Sequence, residues 1–491
     1  MNGVNQTHMD SNLKASIVVM VLVALSCNNI TDINIDPNNS TTARPQEVLT
    51  SALGYTAFVV DYGYNHEAFL WGQYWTWGPG VSLGDNARYI QKPRDGDQAW
   101  ARSYRDALAD IRFLKEVEDP AYNGIGKVLE ALIYQYLVDH FGDVPYSQAI
   151  KGAIQDGSVL APAYDDDATI YLQLVTTLNG AIADLTLAQG ATMQTVGAED
   201  LIYGGDLGSW VRFAHSLKLR ILMRMSDVVD VADQVRTTIA GGTFIETAAQ
   251  IGEVPFTGNA GSENPMFARQ ESGIGNFYKA ATTVTNVCDE FADPRKSYFY
   301  QEAVNFPGEI RGGDQNFTAL CFLCPEEDYS DPAPVTYGAA VATIFISNWE
   351  TWFLRSEAAL RFGTRDDATR AFENALIANF AYLGAPDGET FAKSLDFDGF
   401  DDPGKFKLIA TMKWLSMTGL QEAEGWIEAR RFDTPETPTF TGTNGIYQTP
   451  VQSALAGGVF PTRWLYPESE QNLNPSFPGQ TTITARVFWD R

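Results

Sequence analysis

The residues best suited to chemistry fall in one aromatic run, Phe69-Leu70-Trp71-Gly72-Gln73-Tyr74-Trp75-Thr76-Trp77-Gly78-Pro79-Gly80, which leads into Asp85-Asn86-Ala87-Arg88-Tyr89. Flat ring faces beside amide and charged groups suit a sugar. The C–H face of a pyranose lies on an indole, while its hydroxyls need Asn, Asp and Arg partners. Trp71 and Trp75 stand four apart and could equally pack one helical face into the core. Trp77, beside Gly78-Pro79, is the better ligand candidate, with Trp75, Asn86, Arg88 and Tyr89 around it.

Catalytic patterns are weaker. Gly80-Val81-Ser82-Leu83-Gly84 matches a nucleophile elbow, which needs a buried strand before the serine and a helix after it, and Pro79 spoils the strand. Beyond the leader only His66, His140 and His215 could act as bases, and none stands in a triad setting. His215 reads as a packed helix residue. Paired carboxylates of the glycosidase kind declare themselves by geometry, not by spacing. Asp396-Phe397-Asp398-Gly399 and the Asp32, Asn34, Asp36 series lack the glycine and distal Glu of a calcium loop in register, and Asx turns explain both. Cys321-Phe322-Leu323-Cys324 has metal-ligand spacing but no matching ligand pair, so a local disulfide or two free thiols fits it better. No enzyme activity, cofactor or metal is expected.

Composition narrows the partners. Asp and Glu number 61 against 34 Lys and Arg, and the net charge of −27 repels phosphate backbones, which excludes nucleic acid. Near the N-terminus an apolar run, Ala15–Leu25, follows Lys14 and ends just before Cys27. The run is shorter than the roughly 20 residues of a membrane span and has the length of a signal-peptide core. Ala24 and Ser26 suit ordinary signal cleavage before Cys27, and a lipoprotein peptidase would cut the same bond, although Ala24-Leu25 departs from its usual recognition pattern. Residues 1–26 therefore read as a signal peptide, and the chain as exported.

The elements that must hold the aromatic run are helices. Val128, Leu129, Leu132, Ile133, Tyr136 and Leu137 recur at three- and four-residue spacing up to Phe141-Gly142, and Trp100, Tyr104, Leu108 and Ile111 form the stripe before them. Pro120-Ala-Tyr-Asn-Gly124 reads as the turn between the two. Further helices are expected at 166–188, 210–229 and 230–239. Ser347-Asn-Trp-Glu350 reads as a capping box opening a helix that ends at Gly363, with a partner helix carrying Ala368, Ala371, Phe372, Ala375, Leu376 and Phe380. A last pair follows Ala410. No clean helix is expected within 245–345, and 430–491 reads as ordered loops and short strands.

Four stretches point to one family: Gly142-Asp-Val-Pro-Tyr-Ser-Gln-Ala149; Pro162-Ala-Tyr164 before Asp166–Tyr171; Gly205-Asp206 leading through Trp210 to Arg220; and Phe460-Pro-Thr-Arg463 with Tyr466-Pro467-Glu468. With Asp293-Pro294-Arg295 and Glu428-Ala-Arg-Arg431 they resemble the SusD/RagB family of nutrient-binding outer-membrane lipoproteins, in the family's order and over nearly all of the mature chain. The resemblance implies a mainly α fold of four tetratricopeptide-type helix pairs packed against an irregular, loop-rich ligand-binding face. It makes residues 46–491 a single domain, with loop-rich insertions near 245–345 and 430–491. Residues 27–45 become a tether lipidated at Cys27, which anchors the protein to the outer membrane facing the exterior. It implies a SusC-like TonB-dependent transporter as partner, a glycan or a peptide as ligand, and binding without catalysis. Family position adds Phe317, Phe322 and Tyr329 to Asn86 and Arg88 as contact residues.

Overall fold

Helices form in almost every stretch with three- and four-residue apolar spacing. The computed structural model describes residues 43–80, 84–151, 159–191, 195–273, 277–434, 438–442 and 444–491. The leader, Cys27, the Asp32–Asp36 series and Ser82 lie outside the described residues. Residues 45–491 form one unit, and no described helix is long and apolar enough to cross a membrane.

The described residues begin with α1 (Pro45–Phe58), a π-turn at Val59–Tyr64, and α2 (Asn65–Trp71). Then come α3 (Leu108–Glu116), α4 (Pro120–Phe141), α5 (Asp167–Gln189), α6 (Leu207–Arg224) and α7 (Ala232–Gly241). After a loop-rich segment containing α8 (Thr282–Glu290), the body resumes with α9 (Asn348–Phe362), α10 (Ala368–Leu383), α11 (Asp402–Leu415) and α12 (Glu422–Phe432). Sequence neighbours pack on one another: α3 on α4, α4 on α5, α5 on α6, α9 on α10, and α11 on α12.

The apolar stripes read from the sequence are the core. Leu129, Leu132, Leu137, Trp210, Phe213, Leu217, Phe372 and Leu376 are fully buried, each contributing about 1.5–3 kcal/mol through apolar area removed from water. Asp206 caps α6 by accepting from the Gly208 N–H at 2.9 Å, and Asp166 caps α5 by accepting from Thr169 at 2.8 Å.

The structure corrects four expectations. Pro120-Ala-Tyr-Asn-Gly124 is the first turn of α4, capped by Asp119; proline at the first helical position is compatible with the helix because its missing N–H would have had no partner there. Ser347 accepts from the Glu350 N–H at 3.2 Å, but the Glu350 carboxylate turns inward to Arg220, so only half of the capping box forms. α8 is a clean helix inside 245–345, and a further helix spans Pro265–Gly273. Its Thr- and Val-rich sequence has strand-like propensity, which burial of Val284, Val287 and Cys288 overrides. Among the described residues of 438–491 there is no strand; the one helix is Glu468–Leu473.

Two short antiparallel ribbons tie the loop-rich segment to the helices. β1 (Trp75–Trp77) pairs with β3 (Tyr278–Ala280), Trp75 opposite Ala280 and Trp77 opposite Tyr278; β2 (Gly252–Val254) pairs with β4 (Thr343–Ile346). Arg295 adds a polar anchor: fully buried, it grips Asp293 at 2.6 Å, donates to Asn379 and Ser416 at 2.7 Å, and lies over the ring of Phe380. One guanidinium thus adds a tie from the loops to α10 and to the residue that follows α11.

Between α4, α6, α9 and α12 runs a buried ionic seam. α4 offers Gln135 and Asp139, α6 Arg220 and Arg224, α12 Glu424 and Glu428, each pair four residues apart and so on one helix face. Arg224 reaches Asp139 and Glu428 at 2.9 Å and also contacts Glu424, while Lys413 and Arg431 close on Glu428 at 2.5 and 2.8 Å. Burial opposes the charge of Glu428, yet Arg431, Lys413 and Arg224 hold its carboxyl well below the usual range.

Candidate functional site

The aromatic run begins in a helix and ends in a strand, and that break decides where each ring points. α2 stops at Trp71, Gln73 takes a left-handed backbone conformation (φ 56°), and β1 starts at Trp75. Trp71 and Trp75 therefore do not share a helical face. Trp71 lies against Trp426 and Trp464, whereas Trp75 and Trp77 both lie on Tyr278 with ring centroids 5.1 Å apart. All three indoles are buried, Trp77 at 5% exposure. The indole faces are spent on packing, and the Trp75–Trp77 platform expected from the sequence is not open to a ligand.

Their polar edges converge on Asn86. Trp77 Nε1 donates to Asn86 Oδ1 and Trp71 Nε1 to Asn86 O, both at 3.1 Å. The 3₁₀ turn Asn86–Arg88 that results leaves Asn86 and Arg88 half-exposed. Asp85 accepts from Arg88 and Lys92, each at 2.8 Å, and these hydrogen bonds, Lys92's first, lower its carboxyl pKa. Tyr89 is buried, its hydroxyl accepting from Gln73 Nε2 at 3.1 Å.

The residues expected far along the chain come to the same neighbourhood. Gly80 N–H donates to Phe322 O at 3.2 Å, Gln315 Nε2 to Trp75 O at 2.7 Å, and Ala454 N–H to Arg88 O at 2.9 Å. Phe317 is buried with its ring 4.5 Å from that of Tyr329, which is half-exposed. Phe322 is 46% exposed between Cys321 and Cys324, which form a local disulfide, and Leu320 and Leu323 flank it in the open. Of the eight residues, then, Asn86, Arg88, Phe322 and Tyr329 reach solvent, while Trp75, Trp77, Tyr89 and Phe317 lie beneath.

A cavity of about 380 Å³ opens beside Asn86, lined also by Tyr62, Glu67, Lys92, Asp95 and Trp464. Glu67 is buried, and its Oε2 has no hydrogen-bond partner among the described residues. Burial and the charge of Asp95 push its carboxyl up to about 8, against a hydrogen bond from Asn86. Glu67 was missed in the sequence although it borders the aromatic run; nothing local could have joined Trp464 to it. The cavity offers an amide, an ammonium and a buried carboxyl beside ring walls, a set suited to hydroxyl groups.

Of the three histidines beyond the leader, His66 lines this cavity, His140 is buried with Nδ1 2.7 Å from Tyr136 O, and His215 packs near Phe244. The motifs that carried the resemblance are structural. Asp165 accepts from Tyr146 and Ser147 in the turn after α4, Arg430 stacks between Trp426 and Trp489, and Arg463 bonds Phe141 O.

Residues 37–467 match the family model SusD-like_2, described as starch-binding and associating with the outer membrane. The chain belongs to the SusD-like family. This SusD-like protein is similar in fold to a chitin-binding SusD homolog from Flavobacterium johnsoniae, with a TM-score of 0.75, 19% identity, and coverage of 90% of this chain and 98% of the other. A SusD homolog from Bacteroides thetaiotaomicron gives 0.73 at 19% identity, covering 92% and 99%; one from Bacteroides uniformis gives 0.71 at 20%, covering 90% and 99%. No curated protein matches the chain.

Proposed function

We propose that this SusD-like protein captures oligosaccharides at the cell surface and delivers them to a SusC-like TonB-dependent transporter without chemical turnover. The observation that carries the reading is the meeting of distant segments, 77–80 and 84–89 with 315–329 and 450–454, where Phe322, Tyr329, Asn86 and Arg88 reach solvent. Exposed rings beside amide and guanidinium groups are what pyranose recognition requires. The family description and the chitin-binding relative support a glycan over a peptide.

In this reading Asn86, Arg88, Phe322 and Tyr329 touch the ligand, and Trp75, Trp77, Tyr89 and Phe317 hold them from below. The paired helices are tetratricopeptide-type units forming a scaffold behind that face. Residues 1–26 are the signal peptide, Cys27 carries the lipid, and 27–45 tether the 46–491 domain to the outer leaflet of the outer membrane. Calorimetric titration with malto- and chito-oligosaccharides tests the ligand, and binding of peptides alone would replace glycan by oligopeptide. Cys27→Ala should move the protein out of the membrane fraction, and affinity purification should bring down a large outer-membrane barrel. Product release from a polysaccharide would defeat the binding-only reading.

A further inference from the structure

A second concavity, about 500 Å³, lies between α8, the start of α11 and the loop 444–448. Phe291 and Phe400 line it together with Asn286, Glu290, Lys407 and Asn444. The four polar side chains are exposed, and none makes a hydrogen bond or ion pair among the described residues. Phe400 is 46% exposed; its ring rests on the backbone of Gly404, where a Cβ would stand 2.9 Å from Cδ1. Two uncommitted amides, one cation and one carboxylate around phenyl rings give paired donors and acceptors beside apolar faces. The volume lies within the roughly 300–1,000 Å³ of pockets that enclose small ligands.

The groove is joined to the face described above by a single stretch of chain. Gln448 lines the groove, Val451 N–H donates to Gln315 O at 3.0 Å, Asn316 Nδ2 donates to Val451 O at 2.7 Å, and Ala454 bonds Arg88. Beneath it Gln73, fully buried, accepts from Thr283 of the groove at 2.6 Å and donates to Tyr89 at 3.1 Å. The groove and the face therefore share Gln73 and the stretch 448–454 as a common support.

We infer that this groove is a second subsite, taking one or two further pyranose rings of the neutral oligosaccharide held at the Phe322–Arg88 face. The inference rests on the oligosaccharide reading and adds a chain-length requirement to it. The test is calorimetric titration of the mature chain with maltose to maltohexaose and chitobiose to chitohexaose. In the wild type, affinity should rise with length in at least one series. Asn286→Ala and Phe400→Ala, both at exposed positions, should weaken the hexaose about five- to tenfold while leaving the disaccharide and the melting temperature unchanged. Affinity independent of length, unaltered hexaose binding in both variants, or equal loss for short and long ligands would overturn the subsite and leave glycan capture standing. Failure of both series to bind the wild type would overturn capture and subsite together.

Discussion

Arg220 of α6 holds Glu350 of α9 through two hydrogen bonds of 2.6 Å, from Nε and Nη2, with neither side chain reached by solvent. The pair joins the helices before the loop-rich segment to those after it. Removing one partner leaves the other charged and unpaired in the interior, which typically costs about 3–5 kcal/mol. Arg220→Ala should lower the urea midpoint accordingly. A change below about 1 kcal/mol would mean that the seam reorganises around the loss.

The seam also marks the limit of what the sequence discloses. Periodicity reveals the apolar stripe Trp210, Phe213, Leu217, Ile221, because a helix repeats its inward face at a fixed interval. Arg220 and Arg224 follow the same interval, but nothing in the periodicity marks charged residues as core, and only the arrival of Glu350, Glu424 and Glu428 from distant helices buries them. The aromatic run fails differently. Helical spacing groups Trp71 with Trp75, but a left-handed residue at Gln73 breaks the period between them. Family position points to Phe322, which reaches solvent; the neighbouring Gly78-Pro79 points to Trp77, which is buried.

Trp77 and Phe322 should therefore separate stability from binding. Trp77→Ala empties a packed site on Phe69 and Tyr278 and leaves Asn86 Oδ1 without its indole donor, an expected loss of about 3–5 kcal/mol. Phe322→Ala, on the surface, should stay within about 0.5 kcal/mol of the wild type in chemical denaturation. Only the second should weaken oligosaccharide affinity in protein that is fully folded. The opposite assignment would return Trp77 to the ligand face.

Stability should fall as pH rises from about 5 toward 9. Burial raises the carboxyl of Glu67 to about 8, that of Glu422 to about 8 and that of Asp61 to about 6, the last two also facing one another. A raised folded-state pKa means that the native chain binds more protons than the unfolded one, so the contribution is complete below the unfolded value of about 4 and is lost as pH passes the folded value. Each glutamate contributes on the order of a few kcal/mol across that window. Melting temperatures recorded between pH 5 and 9 should decline, and Glu67→Gln with Glu422→Gln should flatten the slope. A flat wild-type profile would show that these acids are already ionised in the fold.

Gln73 offers the sharpest test of how the face is held. Its Oε1 accepts from Thr283 Oγ1 at 2.6 Å and Gln448 N–H at 2.9 Å, and its Nε2 donates to Gln448 O at 2.8 Å and Tyr89 at 3.1 Å. One amide thus joins the break between α2 and β1 to α8, the Tyr89 turn and the stretch that runs on to Arg88. Gln73→Leu keeps the volume but leaves the Gln448 N–H and the Thr283 hydroxyl without partners, at about 1–3 kcal/mol for each unsatisfied group. Because Gln448 lies in a loop and Thr283 in the first turn of α8, the loss should appear first as local opening. Hydrogen exchange at residues 446–454 should quicken more than exchange in α4, and oligosaccharide binding should weaken although no contact residue has changed. Uniform acceleration across both regions would instead make Gln73 a general core residue with no special hold on the face.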